Sequence, residues 1–249
     1  MIHYHGGPIT PDTCAIKAWK GRHAFISYAH YGQLALASEI TQSFALDNGA
    51  FTFWKTGGAI DWLGYYDFVA KWKNHPRFDF AIIPDVIDGG EKGNDELLAE
   101  WPHGAVTGVP VWHMNESDER FIRLCQQYPR VAIGSCGEYD VKHPRKCVAK
   151  LKDVIRHIVT DDGYPIARLH MLRGLNKSVF QHLPFASADS TNVARNIGLD
   201  CAWKGTYQPQ SKETRAAILV ERIEAINSAS RLSYDPVFDR VSIQLAMEI

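Results

Sequence analysis

Short apolar runs alternate with longer amphipathic ones over most of the chain. The short runs are Ile2–His5, His23–Tyr28, Ser43–Asp47, Phe78–Pro84, Val109–Met114, Val131–Gly134, Ala167–Leu172 and Phe185–Asp189. Their brevity and near-continuous apolar character predict strands buried on both faces. Helical spacing predicts Asp12–Lys20, Leu34–Gln42, Trp62–Asn74, Asn94–Trp101, Ser117–Tyr128, Pro144–His157, Lys177–His182 and Lys212–Ser228. Asn94-Asp95 and Ser117-Asp118-Glu119 read as helix N-termini, where short polar and acidic side chains meet unpaired N–H groups.

Eight strands alternating with eight helices imply parallel pairing through right-handed crossovers. An open doubly wound sheet would share that pattern. No GxGxxG follows the first strand, and no phosphate-binding GxxxxGK loop occurs anywhere, so a nucleotide-binding sheet lacks its usual support. The length of 249 residues suits one (β/α)8 TIM barrel. The expectation is therefore an α/β fold, a single barrel domain over residues 1–249.

Composition narrows the partners. Lys and Arg number 27 against 28 Asp and Glu, a net charge of −1, so the chain as a whole is not a nucleic-acid-binding polycation. Charge is concentrated locally at Lys142, Arg145, Lys146 and Lys150, with Lys152 and Arg156 beyond. That stretch reads either as a solvated helix face or as a phosphate-contacting one. The five cysteines form no CxxC pair and imply reduced thiols, not a disulfide framework or a structural zinc site. Met1–Pro8 lacks the basic start and apolar run of a signal peptide, and no run of some 18 apolar residues spans a bilayer. A cytoplasmic protein without membrane contact is expected.

In a barrel, chemistry gathers where strands run out into loops. Asp47, Asp85 and Asp189 each follow an apolar run directly. One such aspartate is often the cap of the next helix. Three at one mouth would instead raise one another's pKa and divide into an acid and a nucleophile. His3, His5, His30 and His113 could join Asp85 as metal ligands, or be core and substrate contacts. Phe51, Phe53 and Trp54 read as core packing or as a stacking platform for a flat ring.

Several of these segments resemble the tRNA-guanine transglycosylase superfamily. Phe44-Ala-Leu-Asp47-Asn-Gly-Ala-Phe51 is similar to its first aspartate segment, and Phe185-Ala-Ser-Ala-Asp189-Ser-Thr-Asn192-Val-Ala-Arg195-Asn196 to its second. Ala81-Ile-Ile-Pro-Asp85 falls where that family reads the base. Val131-Ala-Ile-Gly134-Ser135 is similar to its Gly-Gly segment, and His170-Met171-Leu-Arg-Gly174 to its Leu-Met-Gly segment. The order holds across residues 44 to 196. The zinc subdomain of the tRNA enzymes has no counterpart, and Cys201 stands alone. With the opening His3-Tyr-His5-Gly-Gly-Pro, this departure looks most like the 7-deazaguanine DNA transglycosylases of phages and bacterial modification islands.

The resemblance implies exchange of guanine in DNA for a 7-deazaguanine such as preQ0, with no cofactor and no zinc. It casts Asp189 as nucleophile and Asp47 as general acid and base. Asp85, Phe51, His113, Gly134, Ser135, Met171, Asn192 and Arg195 would contact substrate, and Lys142, Arg145, Lys146 and Lys150 the nucleic acid. The partners implied are flipped-out or single-stranded DNA, the 7-deazaguanine base, and a second copy or partner protein. A tRNA-directed enzyme, a metal-dependent barrel hydrolase and a non-catalytic nucleic-acid-binding subunit are the alternatives.

Overall fold

A computed structural model describes residues 1–198, 203–205 and 207–233. Nine parallel strands form one sheet: β1 (Ile2–Gly6), β2 (His23–Ser27), β3 (Ser43–Asp47), β4 (Phe78–Ile82), β5 (Gly108–Val109), β6 (Val111–His113), β7 (Arg130–Gly134), β8 (Arg168–Leu172) and β9 (Ser187–Ser190). Their order is β5-β4-β3-β2-β1-β9-β8-β7-β6. The two ends of that order, β5 and β6, are consecutive pieces of one segment separated by Pro110. The sheet therefore curls into a nearly closed, TIM-like barrel. Proline has no N–H to give a ladder, and its carbonyl accepts the Ala132 N–H at 2.9 Å instead. The strand predicted over Val109–Met114 is thus real but split.

Helices lie between the strands: α1 (Asp12–Trp19), α2 (Leu34–Ile40), α3 (Ala50–Thr56), α4 (Trp62–Trp72), α5 (Gly90–Glu100), α6 (Gly104–Thr107), α7 (Asp118–Gln127), α8 (Pro144–Ile155), α9 (Lys177–Phe180), α10 (Asn192–Asn196) and α11 (Lys212–Glu224). α3, α6 and α10 lie outside the predicted helices. Four N-termini follow capping rules: Asp61 accepts the Gly64 N–H at 2.9 Å, Ser117 the Arg120 N–H at 3.2 Å, Asn176 the Ser178 N–H at 3.0 Å and Ser211 the Thr214 N–H at 3.0 Å. Asn94 does not cap. α5 starts four residues earlier, at Gly90, and Asn94 is buried on its inner side. No helix among the described residues is long and apolar enough to cross a membrane.

Apolar packing falls into three bodies. One joins α1, α2, α4 and α11 to the outer faces of β2 and β3. A second joins α7, α8 and α9 to the outer faces of β6, β7 and β8. The third fills the barrel with Tyr4, Phe25, Ala45, Phe80, Ile82, Val109, Val111 and Ala132. Pairing of β4 with β3 slips by one residue between Phe44↔Phe78 and Leu46↔Ala81. The bulge lets both Asp79 and Phe80 reach the interior. There Asp79 accepts the Tyr4 hydroxyl and pairs with Arg130 at 3.2 Å, while the Arg130 guanidinium lies 4.3 Å over Phe80. This closed polar floor sits at the N-terminal end of the strands, the end that serves stability in barrels.

Candidate active site

Strand alternation builds the opposite mouth. Phe25, Ala45, Val111 and Ala132 point into the barrel. Two residues on, toward the C-terminal ends, the same faces present Ser27, Asp47, His113 and Gly134. Asp189 joins them from β9, and Asp85 lies three residues past the end of β4. Residues separated by over 140 positions thus meet at one opening.

Asp47 is the most perturbed acid there. Its pKa is raised from 3.8 to about 6 by burial first and by the charge of Asp189 second. Asp85 adds to the rise, while the Ser27 hydroxyl and the Gly49 N–H oppose it without prevailing. The Gly49 N–H donates to Asp47 Oδ2 at 3.1 Å. Gly49 adopts φ +80, and a β-carbon on it would approach the Ala29 nitrogen to 3.1 Å, so the turn after β3 needs glycine.

Asp189 is buried and held from two sides. Its Oδ1 accepts the Arg173 N–H at 2.8 Å. His170 Nε2 stands 3.4 Å from the same oxygen. His170 is fully buried among Tyr4, Phe25 and Phe80, with Nδ1 2.8 Å from Ser187 Oγ, and its Nε2 has no hydrogen-bond partner. Arg173 adopts φ +53, a left-handed backbone that costs a side-chain-bearing residue roughly 1–3 kcal/mol. That turn aims its N–H at Asp189. Its guanidinium lies 3.8 Å over the exposed ring of Phe51.

Asp85 is nearly enclosed. Oδ1 accepts the Asn48 amide at 2.7 Å, and Oδ2 accepts from His113 Nε2 at 2.9 Å. Asn48 also donates to the Ile83 carbonyl at 2.9 Å. Gly134 makes room for the His113 ring: a β-carbon there would sit 2.8 Å from Nδ1. Behind this pair, Glu116 Oε2 accepts the His113 N–H at 2.9 Å and Arg120 at 2.7 Å, and its Oε1 accepts Asn94 at 2.8 Å. Asn94 Oδ1 in turn accepts the Val86 N–H at 2.7 Å. The residue after Asp85 and the residue bonded to Asp85 therefore share one buried brace.

Other expected positions fall differently. Ser135 is half-buried in the loop after β7, and Asn192 and Arg195 line a cavity beyond β9. Met171 does not reach the mouth. Its side chain is buried in the outer core, because His170 and Leu172 hold the inward positions of β8. His3 and His5 also face outward, where His3 meets the Ile226 carbonyl at 2.8 Å and His5 meets Glu224 at 2.9 Å. They dock the segment around α11, and of the four candidate histidines only His113 is bonded to Asp85. Among the described residues, no three His, Cys, Asp or Glu side chains are grouped so as to hold a metal ion. Lys150 pairs with Asp118 and Lys146 with Glu138, while Lys142 and Arg145 are exposed. Cys201 lies outside the described residues.

No family model, no curated protein and no solved structure matches the chain. The site's chemistry has to be read from its own groups.

Proposed function

We propose that this chain is a base-exchanging transglycosylase on a (β/α)8 TIM barrel, replacing guanine in DNA with a 7-deazaguanine such as preQ0. The observation that carries the reading is the Asp47–Asp189 pair. Two carboxylates from distant strands share one mouth, and one of them holds a proton up to about pH 6. Such a division of roles is what glycosyl transfer needs.

Asp189 attacks C1′ of the target deoxyguanosine, and the C1′–N9 bond breaks. The departing guanine takes a proton from Asp47. The incoming base returns a proton to Asp47, bonds to C1′ through N9 and expels the Asp189 carboxylate. Two inversions give net retention. Asp85 keeps lone pairs beyond those used by Asn48 and His113, enough to accept N1–H and the 2-amino group of a purine. Phe51 supplies a stacking face, and Gly134 and Ser135 the O6 side. The target base must leave the stack or lie in single-stranded DNA. Lys142 and Arg145, both exposed, are the cations offered to its backbone.

The direct test incubates the protein with guanine-containing DNA or tRNA and preQ0, then digests to nucleosides for mass analysis. The 7-deazaguanine nucleoside is expected from DNA, and none with Asp189→Ala. Incorporation into tRNA alone would move the reading to the tRNA-directed alternative. Chelator-sensitive hydrolysis without incorporation would replace it with the metal hydrolase. Because the first step needs protonated Asp47, its rate should fall as pH rises through about 6. Asp47→Asn should bind DNA but lose turnover; undiminished exchange by that variant would refute the acid–base role.

A further inference from the structure

A polar cavity of about 410 Å3 opens immediately beyond Asp189, lined by Arg173, Ser190, Thr191, Asn192, Arg195 and Asn196. Its size lies within the range of small-ligand pockets, roughly 300–1,000 Å3. Neither Arg173 nor Arg195 has a carboxylate partner among the described residues, although arginine usually finds one when an acid is near. The Arg173 guanidinium lies flat on Phe51 at 3.8 Å. Face stacking leaves its N–H edge unused and sets the edge's direction. The Asn196 amide donates to Asn192 Oδ1 at 3.0 Å, which leaves the Asn192 NH2 as a further donor. The cavity is thus rich in donors and positive, one residue away from a mouth crowded with carboxylates.

We propose that this cavity binds a phosphate group of the substrate, the one adjoining the sugar presented to Asp189. The planar guanidinium fork matches phosphate oxygens better than a point charge does. The placement of the sugar rests on the base-exchange reading; the phosphate site itself does not. It makes a phosphorylated nucleoside the substrate class and rejects a free nucleoside. Phosphate of this kind comes from a polynucleotide or from a free nucleotide.

The test measures binding by the full chain, without turnover, of a labelled single-stranded guanine oligodeoxynucleotide, of dGMP and of deoxyguanosine. Deoxyguanosine should bind at least about tenfold more weakly than the other two, as loss of charge-assisted hydrogen bonds requires. Arg195→Gln, at an exposed position, should weaken the oligonucleotide about tenfold and leave deoxyguanosine unchanged. It should also flatten the slope of log affinity against log salt by about 0.7. Arg173→Gln, which keeps the backbone N–H on Asp189, should likewise weaken the oligonucleotide and flatten its salt slope. Tight dGMP with weak oligonucleotide would support the site with a free nucleotide as its source. Equal binding of dGMP and deoxyguanosine would overturn it, as would wild-type affinity and salt slope in both arginine variants. If the arginines behave as expected but no base is exchanged, the phosphate site stands and the exchange reading falls.

Discussion

Burial and a neighbouring negative charge push Asp47 in the same direction, so its ionisation works against the fold. Its folded pKa of about 6 lies above the ordinary 3.8. The folded protein therefore holds an extra proton between these values, and stability falls as pH rises through that window. The penalty is absent below the lower value and complete above the upper one. Two units correspond to at most about 3 kcal/mol. Asp47→Asn should accordingly raise Tm by several degrees at pH 7.5 and leave it unchanged near pH 3.5. A Tm gain that is equal at both pH values would contradict the charge argument. His170 invites a second substitution. Its Nδ1 lies 2.8 Å from the Ser187 hydroxyl, and its Nε2, without a hydrogen-bond partner, stands 3.4 Å from Asp189 Oδ1. On the proposed base-exchange reading, His170→Phe should slow formation of the glycosyl-enzyme by about 10–100-fold with KM unchanged, and His170→Gln should recover part of the loss. A change in KM alone would assign His170 to packing. The three aspartates were legible in the sequence because each ends an apolar run. His170 was not, since a histidine inside a buried strand looks like any core residue. Arg173 acts on Asp189 through its backbone, and no side-chain pattern announces that.

At the level of elements, hydrophobic periodicity located every strand to within about two residues, and the reasons for the errors are local. Pro110 cuts the fifth apolar run into β5 and β6 because it cannot donate to a ladder. Phe51, Phe53 and Trp54 read as core packing or as a stacking platform; on α3, Phe51 and Trp54 are exposed with ring centroids 5.7 Å apart, so these two rings do not pack in the core. Asn94 carried a capping signal but serves tertiary structure. It links α5 to the loop after β6 through Glu116, and to the chain after Asp85 through the Val86 N–H. Buried and fully bonded, such an amide is costly to remove. Asn94→Ala should destabilise the protein by about 1–3 kcal/mol in urea unfolding. The same substitution loosens the placement of Asp85, so binding of guanine should weaken more than binding of phosphate. Equal weakening of both would mean that the brace supports the fold generally and not the base-reading pair.

The molecule as a whole closes along one weak seam. β2 and β3 pair through five register positions, whereas β4 meets β5 through only two, Ala81↔Gly108 and Ile82↔Val109. Short pairing leaves few ladder bonds to resist local opening. The seam is instead fastened near the mouth by side chains: Asp85 from the β4 side bonds His113 at the end of β6, and the Asn94–Glu116 brace lies behind them. The proposed base-reading pair is thus also a clasp of the barrel. A ligand that uses Asp85 and His113 should tighten the seam, and breaking the pair should loosen it. Native-state hydrogen exchange can read both effects at the Ile83 amide, which donates across the seam to Val109, and at the Ala132 amide of β7, which donates to Pro110 where β5 passes into β6. In the unliganded protein these two should exchange faster than the amides of β3. His113→Ala should accelerate them further while leaving β2 and β3 unchanged, and saturating 7-deazaguanine should slow them in wild type but not in the variant. Uniform exchange around the barrel, indifferent to His113, would separate the clasp from the site and leave the seam held by β5 and β6 alone.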